Sequence, residues 1–269
     1  MKQAANGRLR RVEGRHNALV KELRQAFRRG ELTPTGECAI EGVRVIEDAI
    51  RSGLRIRAVF VSESGRPRAA GLLPQIGSHT ETLLLPDALF AGAVSTETPQ
   101  GVAALVAVKK YTLAQILDES SHGPWLFLAG IQDPGNLGTI LRSAEAFGVA
   151  GVLLGEGTVS VYNSKAIRAS AGSAFRVPVS QAALHEAIPE LRSRGARLVA
   201  TSSHKGTPLR EARFSGRLAV VIGNEGSGLD KKLLAQMDLL ITIPHSPKVE
   251  SLNAGVAASI VLYEIMSQG

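Results

Sequence analysis

Short apolar segments alternate with amphipathic segments along most of the chain, and this pattern predicts alternating strands and helices. Leu19, Leu23 and Phe27 recur at four-residue spacing within residues 16–30, which is typical of one buried helix face, and Gly30 is a suitable stop. Apolar runs bounded by turn-forming residues are typical of strands. In the first half of the chain we predict a second helix at residues 41–52 and strands at 37–40, 56–61, 83–85 and 101–108.

The pattern is more regular in the second half of the chain. Strands are predicted at residues 125–129, 151–154, 175–179, 197–202, 218–222 and 239–243. Helices are predicted at residues 137–147, 164–171, 181–194, 229–236 and 252–266. Such alternation favours a largely parallel sheet covered by helices on both faces. The predicted fold class is therefore α/β, with a doubly wound sheet preceded by a smaller α/β domain.

These patterns divide the chain into four parts. Residues 1–14 are polar and basic and are predicted to form a flexible tail. Residues 15–110 form the first α/β domain, and residues 124–269 form the second. The polar segment 111–123 is predicted to connect the two domains.

Composition and charge narrow the classes of protein that fit. The chain of 269 residues is 44% hydrophobic, has no apolar stretch long enough to span a membrane, and lacks an apolar signal segment near its N-terminus. Its single cysteine, Cys38, cannot form an internal disulfide, which suits the cytoplasm, and its apolar neighbours predict a buried structural thiol. Residues 1–30 hold nine Lys or Arg against two Glu, so this segment alone accounts for the net charge of +7. A basic segment of this kind attracts polyanions and indicates RNA as a partner, although solvated charges that only aid solubility are the alternative.

Several polar residues occur where an apolar run meets a turn, which is where open α/β sheets build their sites. Asn136, after Asp133-Pro134-Gly135, is a candidate N-cap or site residue. Arg142 lies six residues further on among small and apolar neighbours, where burial would require an anionic partner. Ser251 is a natural N-cap for the last helix, and capping explains Asn253 less well.

The glycine-rich segment 223–229 lacks the spacing of the dinucleotide-binding and P-loop fingerprints, which disfavours a nicotinamide-dependent enzyme. The histidines show no metal-ligand spacing with one another or with Cys38, so no metal is expected. His245 is the histidine nearest to these segments, and a catalytic role for it is not favoured. Aromatic residues make up only 4%, which argues against a base-stacking platform.

The order and spacing of these segments resemble the SpoU/TrmH family of RNA ribose 2′-O-methyltransferases in the SPOUT superfamily. The first motif matches at Asn136, Gly138 and Arg142, and the second matches throughout residues 223–229. The third matches at Ile243, Pro244, Ser251, Leu252 and Asn253, but His245 and Pro247 stand where members usually carry Met and Gly. Residues 98–101 also match a segment that is common before the last strand of the family's N-terminal domain.

The resemblance implies a C-terminal sheet with a deep trefoil knot and an N-terminal RNA-binding domain similar to ribosomal protein L30e. It implies methyl transfer from S-adenosylmethionine to a ribose 2′-hydroxyl, in 23S-type ribosomal RNA, by a cytoplasmic homodimer joined through its C-terminal domains. The implied catalytic residues are Asn136, Arg142, Glu225, Ser251 and Asn253. The implied cofactor-binding residues are Thr201, Gly223, Asn224, Gly228, Ile243 and Leu252.

Two alternatives stay open on the sequence alone. One is a tRNA 2′-O-methyltransferase of the same fold. The other is a non-catalytic RNA-binding or ribosome-assembly factor, which the altered segment 245–247 permits and the intact catalytic motif residues disfavour. The sequence does not name the target nucleotide.

Overall fold

The structure is a computed structural model that describes residues 9–118, 122–203, 205–224, 226 and 228–268. The chain divides into two compact units. The first contains the chain up to Lys109 together with Tyr162–Phe175, and the second contains Lys110–Val161 and the chain from Arg176 onward. The segment Tyr162–Phe175 thus belongs to the first unit although it lies in the middle of the second by sequence, a separation that the hydrophobic pattern does not indicate.

The alternation of strands and helices is confirmed. The strands are β1 (Leu9–Arg11), β2 (Glu37–Glu41), β3 (Ile56–Ser62), β4 (Glu81–Leu85), β5 (Val102–Ala107), β6 (Trp125–Leu128), β7 (Gly151–Leu154), β8 (Val179–Gln181), β9 (Arg197–Thr201), β10 (Thr207–Pro208), β11 (Leu218–Ile222) and β12 (Leu239–Thr242). The helices are α1 (Ala18–Arg29), α2 (Val43–Arg51), α3 (Arg66–Ala69), α4 (Asp87–Ala91), α5 (Leu113–Ile116), α6 (Pro134–Ala146), α7 (Ser164–Ala169), α8 (Leu184–Ser193), α9 (Lys231–Leu234) and α10 (Ala254–Gln268).

The first unit is built on a mixed sheet with the strand order β1-β4-β3-β5-β2. β1, β4 and β3 run parallel, whereas β5 is antiparallel to both β3 and β2. Successive side chains of β3 enter different hydrophobic clusters, with Phe60 in one and Val59 and Val61 in the other. This period of two is the alternation expected of a sheet that is buried on both faces.

Local signals fix the first helix as the sequence predicts. The side chain of Asn17 accepts hydrogen bonds from the backbone N–H groups of Leu19 and Val20, at 3.1 and 3.3 Å. At the other end Gly30 adopts φ +63°, a left-handed conformation that glycine takes without a steric cost. Cys38 is fully buried on β2, and burial raises the pKa of its thiol to about 12, so the expectation of a structural thiol is confirmed.

Two local predictions are wrong. Residues 9–11, assigned to the flexible tail, form β1 beside β4, and Val12 is buried in the core behind it. The predicted strand at 175–179 is instead a short 3₁₀ turn, Ser173–Phe175, followed by β8. The apolar run misleads here because Phe175 packs against the core of the first unit, while β8 belongs to the sheet of the second.

The predicted parallel sheet of the second unit is confirmed. Within the described residues its strand order is β10-β12-β9-β11-β6-β7-β8, and every neighbouring pair is parallel. One face packs against α8 and α9 in a cluster that includes Trp125, Ile188, Leu198 and Leu233. The central β11 is buried along its whole length, as expected for a sheet that helices cover on both faces. Among the described residues, no helix is long and apolar enough to cross a membrane.

Candidate active site

The C-terminal ends of three neighbouring strands bring residues of two motifs to one edge of the sheet. β9 pairs in parallel with both β11 and β12, and Thr201 at its end lies opposite Ile241. Gly223 directly follows β11, and Ile243 directly follows β12. Carboxyl ends of parallel strands are where open α/β sheets place their ligands, so this edge is the candidate site.

The loop after β11 is closed on itself and tied to the end of β6. Asn224 and Gly228 exchange two backbone hydrogen bonds, at 3.2 and 3.0 Å. The side chain of Asn224 accepts a hydrogen bond from the Gly226 N–H at 2.9 Å and donates one to the Gly130 carbonyl at 2.7 Å. Through these two hydrogen bonds the side-chain amide of Asn224 fixes the conformation of the loop. Glu225, the predicted catalytic residue of this loop, lies outside the described residues.

Helix α6 is capped by Asp133, so of the two interpretations of Asn136 the N-cap is wrong, by three residues. Oδ1 of Asp133 accepts a hydrogen bond from the Asn136 N–H at 2.8 Å. Pro134 lies in the first turn of the helix. Backbone N–H groups there have no carbonyl partner within the helix, so the missing N–H of proline costs no hydrogen bond. Asn136 therefore lies inside the helix, and its side chain is buried, with 8% exposed.

An amide-to-amide hydrogen bond joins the first motif to the third. Nδ2 of Asn253 donates to Oδ1 of Asn136 at 2.7 Å, across 117 positions of sequence. Oδ1 of Asn253 in turn accepts from the Val256 N–H at 3.2 Å, which makes Asn253 the cap of α10. The predicted cap, Ser251, is exposed and lies two residues before it.

Helices α6 and α10 run side by side in the same direction from this bond. Ser143 and Ser259 are hydrogen-bonded through their hydroxyls at 2.6 Å one to two turns further along. Gly255 permits the close approach, since a Cβ there would lie 3.1 Å from the Cβ of Thr139. Close packing of small residues thus fixes where the two motif asparagines meet.

Arg142 is exposed on α6, and its side chain makes no hydrogen bond or ion pair with any residue that the structure describes. Its apolar neighbours Ile140 and Leu141 face the core while Arg142 faces outward, so the guanidinium needs no buried anionic partner. An unengaged guanidinium about 1.7 turns beyond Asn136 is available to an anionic ligand.

The remaining predicted residues lie on the segment that leads from β12 to α10. Leu252 is half-buried next to Asn253, as is Ile243 at the start of the segment. Nδ1 of His245 lies 2.7 Å from the Ile243 carbonyl oxygen, so the ring is tied to the backbone that would flank a ligand. Within the described part of the chain, no cluster of His, Cys, Asp or Glu could hold a metal ion.

A cavity of about 680 Å³ opens at the same edge of the sheet, on the face covered by α8 and α9. Two predicted cofactor residues, Asn224 and Gly228, line it, whereas Thr201, Gly223, Ile243 and Leu252 do not. Other lining residues are ones that sequence reasoning missed: Gln132, Glu156, His185, Asp230 and Lys232. They come from the loops after β6, β7 and β11 and from the first turns of α8 and α9, so no local motif could have revealed them together.

The fold and the site define an α/β enzyme with a ligand crevice at the strand ends. The basic N-terminal segment of the chain suits binding to RNA. The SpoU rRNA Methylase family model matches residues 124–263, and the model of the MRM3-like substrate binding domain matches residues 17–104. The chain belongs to the SpoU rRNA methylase family and carries the substrate-binding domain in front of its methylase domain.

Similar proteins span nearly the whole chain. The 23S rRNA (guanosine(2553)-2′-O)-methyltransferase RlmP of Bacillus subtilis is 32% identical over 96% of this chain and 99% of its own length. The AdoMet-bound rRNA methyltransferase of Sinorhizobium meliloti superposes with a TM-score of 0.81, at 25% identity over 97% of this chain and 98% of its own. The SpoU methyltransferase AviRb of Streptomyces viridochromogenes, in complex with AdoMet, superposes with a TM-score of 0.80. It is 28% identical over 94% of this chain and 98% of its own. These matches confirm the predicted family, the α/β fold class, the class of enzyme and S-adenosylmethionine as the cofactor.

Proposed function

We propose that this protein transfers a methyl group from S-adenosylmethionine to a ribose 2′-hydroxyl of 23S ribosomal RNA. The observation that carries the proposal is the hydrogen bond between Asn136 and Asn253, which joins the first motif, on the helix after β6, to the third motif, on the segment between β12 and α10. The named activity of the Bacillus subtilis relative supports the choice of RNA.

The strand-end residues fit the cofactor. A Cβ on Gly223 would lie 2.6 Å from the carbonyl carbon of Gly228, so this position presents bare backbone. Ile243 and Leu252 are half-buried apolar side chains on the neighbouring segment, suited to the faces of an adenine. Thr201 at the end of β9 adds a polar side chain. When bound, S-adenosylmethionine supplies an electrophilic methyl group on its sulfonium.

Arg142 would act on the ribose. A guanidinium has a pKa above 12 and is a poor base, so its role is electrostatic. Its charge would bind the RNA phosphate and stabilise negative charge that develops on the 2′-oxygen. Asn136 and Asn253 would hold the ribose and the helix that carries Arg142 in position. We assign Glu225 and Ser251 to the same site on the motif match alone.

We assign RNA binding to the first unit and the basic N-terminal segment, where the net positive charge of the chain is concentrated. The match to a substrate-binding domain over residues 17–104 supports this assignment. A cytoplasmic location follows from a ribosomal RNA substrate. The trefoil knot and the L30e-like fold stay predictions.

The test of the proposed function combines binding and mapping of modified nucleotides. Calorimetry with S-adenosylmethionine should show micromolar affinity, about −8 kcal/mol, and NADH should not bind. Mapping of 2′-O-methyl groups in 23S ribosomal RNA should reveal one that disappears when the gene is deleted and returns with the wild-type gene. A new site in tRNA instead would assign the protein to the tRNA enzymes, and absence of cofactor binding in the presence of RNA would favour a non-catalytic factor.

We also propose a homodimer in which two copies meet through α10. Val256, Ile260, Tyr263 and Met266 follow one face of this helix and are 38–55% exposed. A contiguous row of large exposed apolar side chains marks an interaction surface. The row begins three residues after Asn253, so a second copy here would lie beside the candidate site and complete it.

Ile260→Asp should convert the dimer to a monomer, because it places a charge in the centre of the proposed apolar interface. Light scattering of the purified full-length protein measures the molar mass directly. Ser193→Asp adds the same charge at an exposed position of α8, and this variant should remain dimeric. A wild-type molar mass of a single chain would refute the proposal.

A further inference from the structure

The cavity beside α8 and α9 lies outside the strand ends that fit the cofactor, yet it shares the loop after β11 with them. It opens where β6 and β11 pair side by side, at the centre of the parallel sheet. After β6 the chain enters α6, which packs on α10, and after β11 it enters α9 in the cluster on the other face. Such a divergence of neighbouring connections is the place where α/β sheets open a ligand crevice.

The lining has an apolar floor and a charged rim. Phe127, Ile188 and Leu233 are buried beneath it. Glu156, His185 and Lys232 are exposed at its edge, and their side chains make no hydrogen bond or ion pair with the described residues. A volume of about 680 Å³ is within the range of small-molecule sites, roughly 300–1,000 Å³.

This combination matches a nucleobase. A base presents flat apolar faces and a rim of donors and acceptors, and enzymes that act on one nucleotide of an RNA hold it in a pocket of this character. The Glu156 carboxylate accepts from amino and imino groups, and the Lys232 ammonium donates to carbonyl oxygen and ring nitrogen. Among the standard bases, guanine alone combines an amino group and an imino N–H with a carbonyl oxygen and an acceptor ring nitrogen.

The cavity is also within reach of the proposed transfer site. Gln132 lines it, and Asn136 follows four residues later, so their Cα atoms are separated by at most about 14 Å. A nucleotide whose base enters the cavity therefore has its ribose within reach of Asn136, on the helix that carries Arg142. We propose that the cavity is the subsite for the base of the target nucleotide, with guanine as the matching base. This inference rests on the proposed methyl transfer to RNA.

The test fills the cavity and follows RNA and cofactor separately. Ala183→Trp places an indole at the lining. With unmodified 23S rRNA transcript as substrate, we expect kcat/KM for RNA to fall at least about tenfold while the Kd for S-adenosylmethionine stays within about twofold. Ser193→Trp, on the exposed end of the same helix and away from the cavity, should keep both wild-type values. Glu156→Gln should lower kcat/KM for RNA as well, because a neutral amide accepts guanine's N–H groups less strongly.

A second readout keeps the subsite distinguishable from the proposed function. A benzophenone amino acid at position 184, which lines the cavity, should cross-link to the transcript on irradiation, and one at position 193 should not. Cross-linking at 184 with a wild-type protein that transfers no methyl would sustain the subsite and refute the enzyme. Transfer by the wild type, with unchanged Ala183→Trp kinetics or no cross-link at 184, would overturn the subsite alone. Loss of S-adenosylmethionine affinity in Ala183→Trp would indicate that the cavity binds the cofactor, and it would overturn the base subsite.

Discussion

Arg142→Ala is expected to lower methyl transfer by at least about a hundredfold, the scale of losing one electrostatic stabiliser of the transition state. Arg142 is exposed on α6 and its side chain makes no hydrogen bond or ion pair with the described residues, so truncating the side chain breaks no such contact in the fold. Thermal unfolding and calorimetry with S-adenosylmethionine should therefore match the wild type. A single-turnover assay with saturating cofactor and RNA isolates the transfer step.

Two further variants sharpen this result. Arg142→Lys should recover little activity, because an ammonium is a point charge and cannot make the two parallel hydrogen bonds of a guanidinium. Arg210→Ala removes the same charge from another exposed position of the same unit and should transfer methyl at the wild-type rate. Near-normal turnover by folded Arg142→Ala would remove the residue from the mechanism, and equal losses in Arg142→Ala and Arg210→Ala would reduce its role to general charge attraction.

The sequence predicts the second unit well because three of its central strands are fully buried. β6, β7 and β11 are continuous apolar runs between turns, which is the pattern that a parallel sheet produces. The prediction is wrong at Phe175. An apolar side chain indicates burial, but it does not indicate which of the two units it packs in. It is also wrong for β1, whose Arg10 and Arg11 point to solvent and form ion pairs with Glu81 and Glu63. An edge strand with exposed basic side chains looks like a tail.

The sequence places candidate residues at the strand ends, but it does not predict the geometry between them. The motif residues Asn136 and Asn253 lie together in the structure. The candidate caps of α6 and α10 are Asn136 and Ser251, whereas the observed caps are Asp133 and Asn253. Several residues within a polar turn can cap a helix, and only the folded backbone selects one. Whether Arg142 faces outward depends on how α6 packs against α10, which is set by small residues distant in sequence, such as Gly255. The cavity is harder still to predict, because its rim is assembled from a loop and from the ends of two separate helices.

Gly223→Ala is expected to weaken S-adenosylmethionine binding by at least about tenfold, roughly 1.4 kcal/mol. Its new Cβ would lie 2.6 Å from the carbonyl carbon of Gly228 and 2.8 Å from Cγ of Leu229, far inside van der Waals contact. Because the first of these atoms belongs to the backbone, the loop itself must move. That movement would separate Asn224 from Gly228 and break the paired hydrogen bonds that close the loop.

Gly226→Ala in the same loop is the matched control. A Cβ there would have Oδ1 of Asn224 as its nearest neighbour at 3.6 Å, an ordinary contact, and Gly226 does not need a positive φ. Calorimetry with S-adenosylmethionine and with its demethylated product should therefore give wild-type affinity for Gly226→Ala and reduced affinity for Gly223→Ala, while circular dichroism shows both folded. Equal affinity in the two variants would mean that the backbone at Gly223 does not shape the cofactor site. Equal losses in both would indicate that the loop tolerates no added side chain, so that the close approach of Gly223 to Gly228 would not be the specific cause.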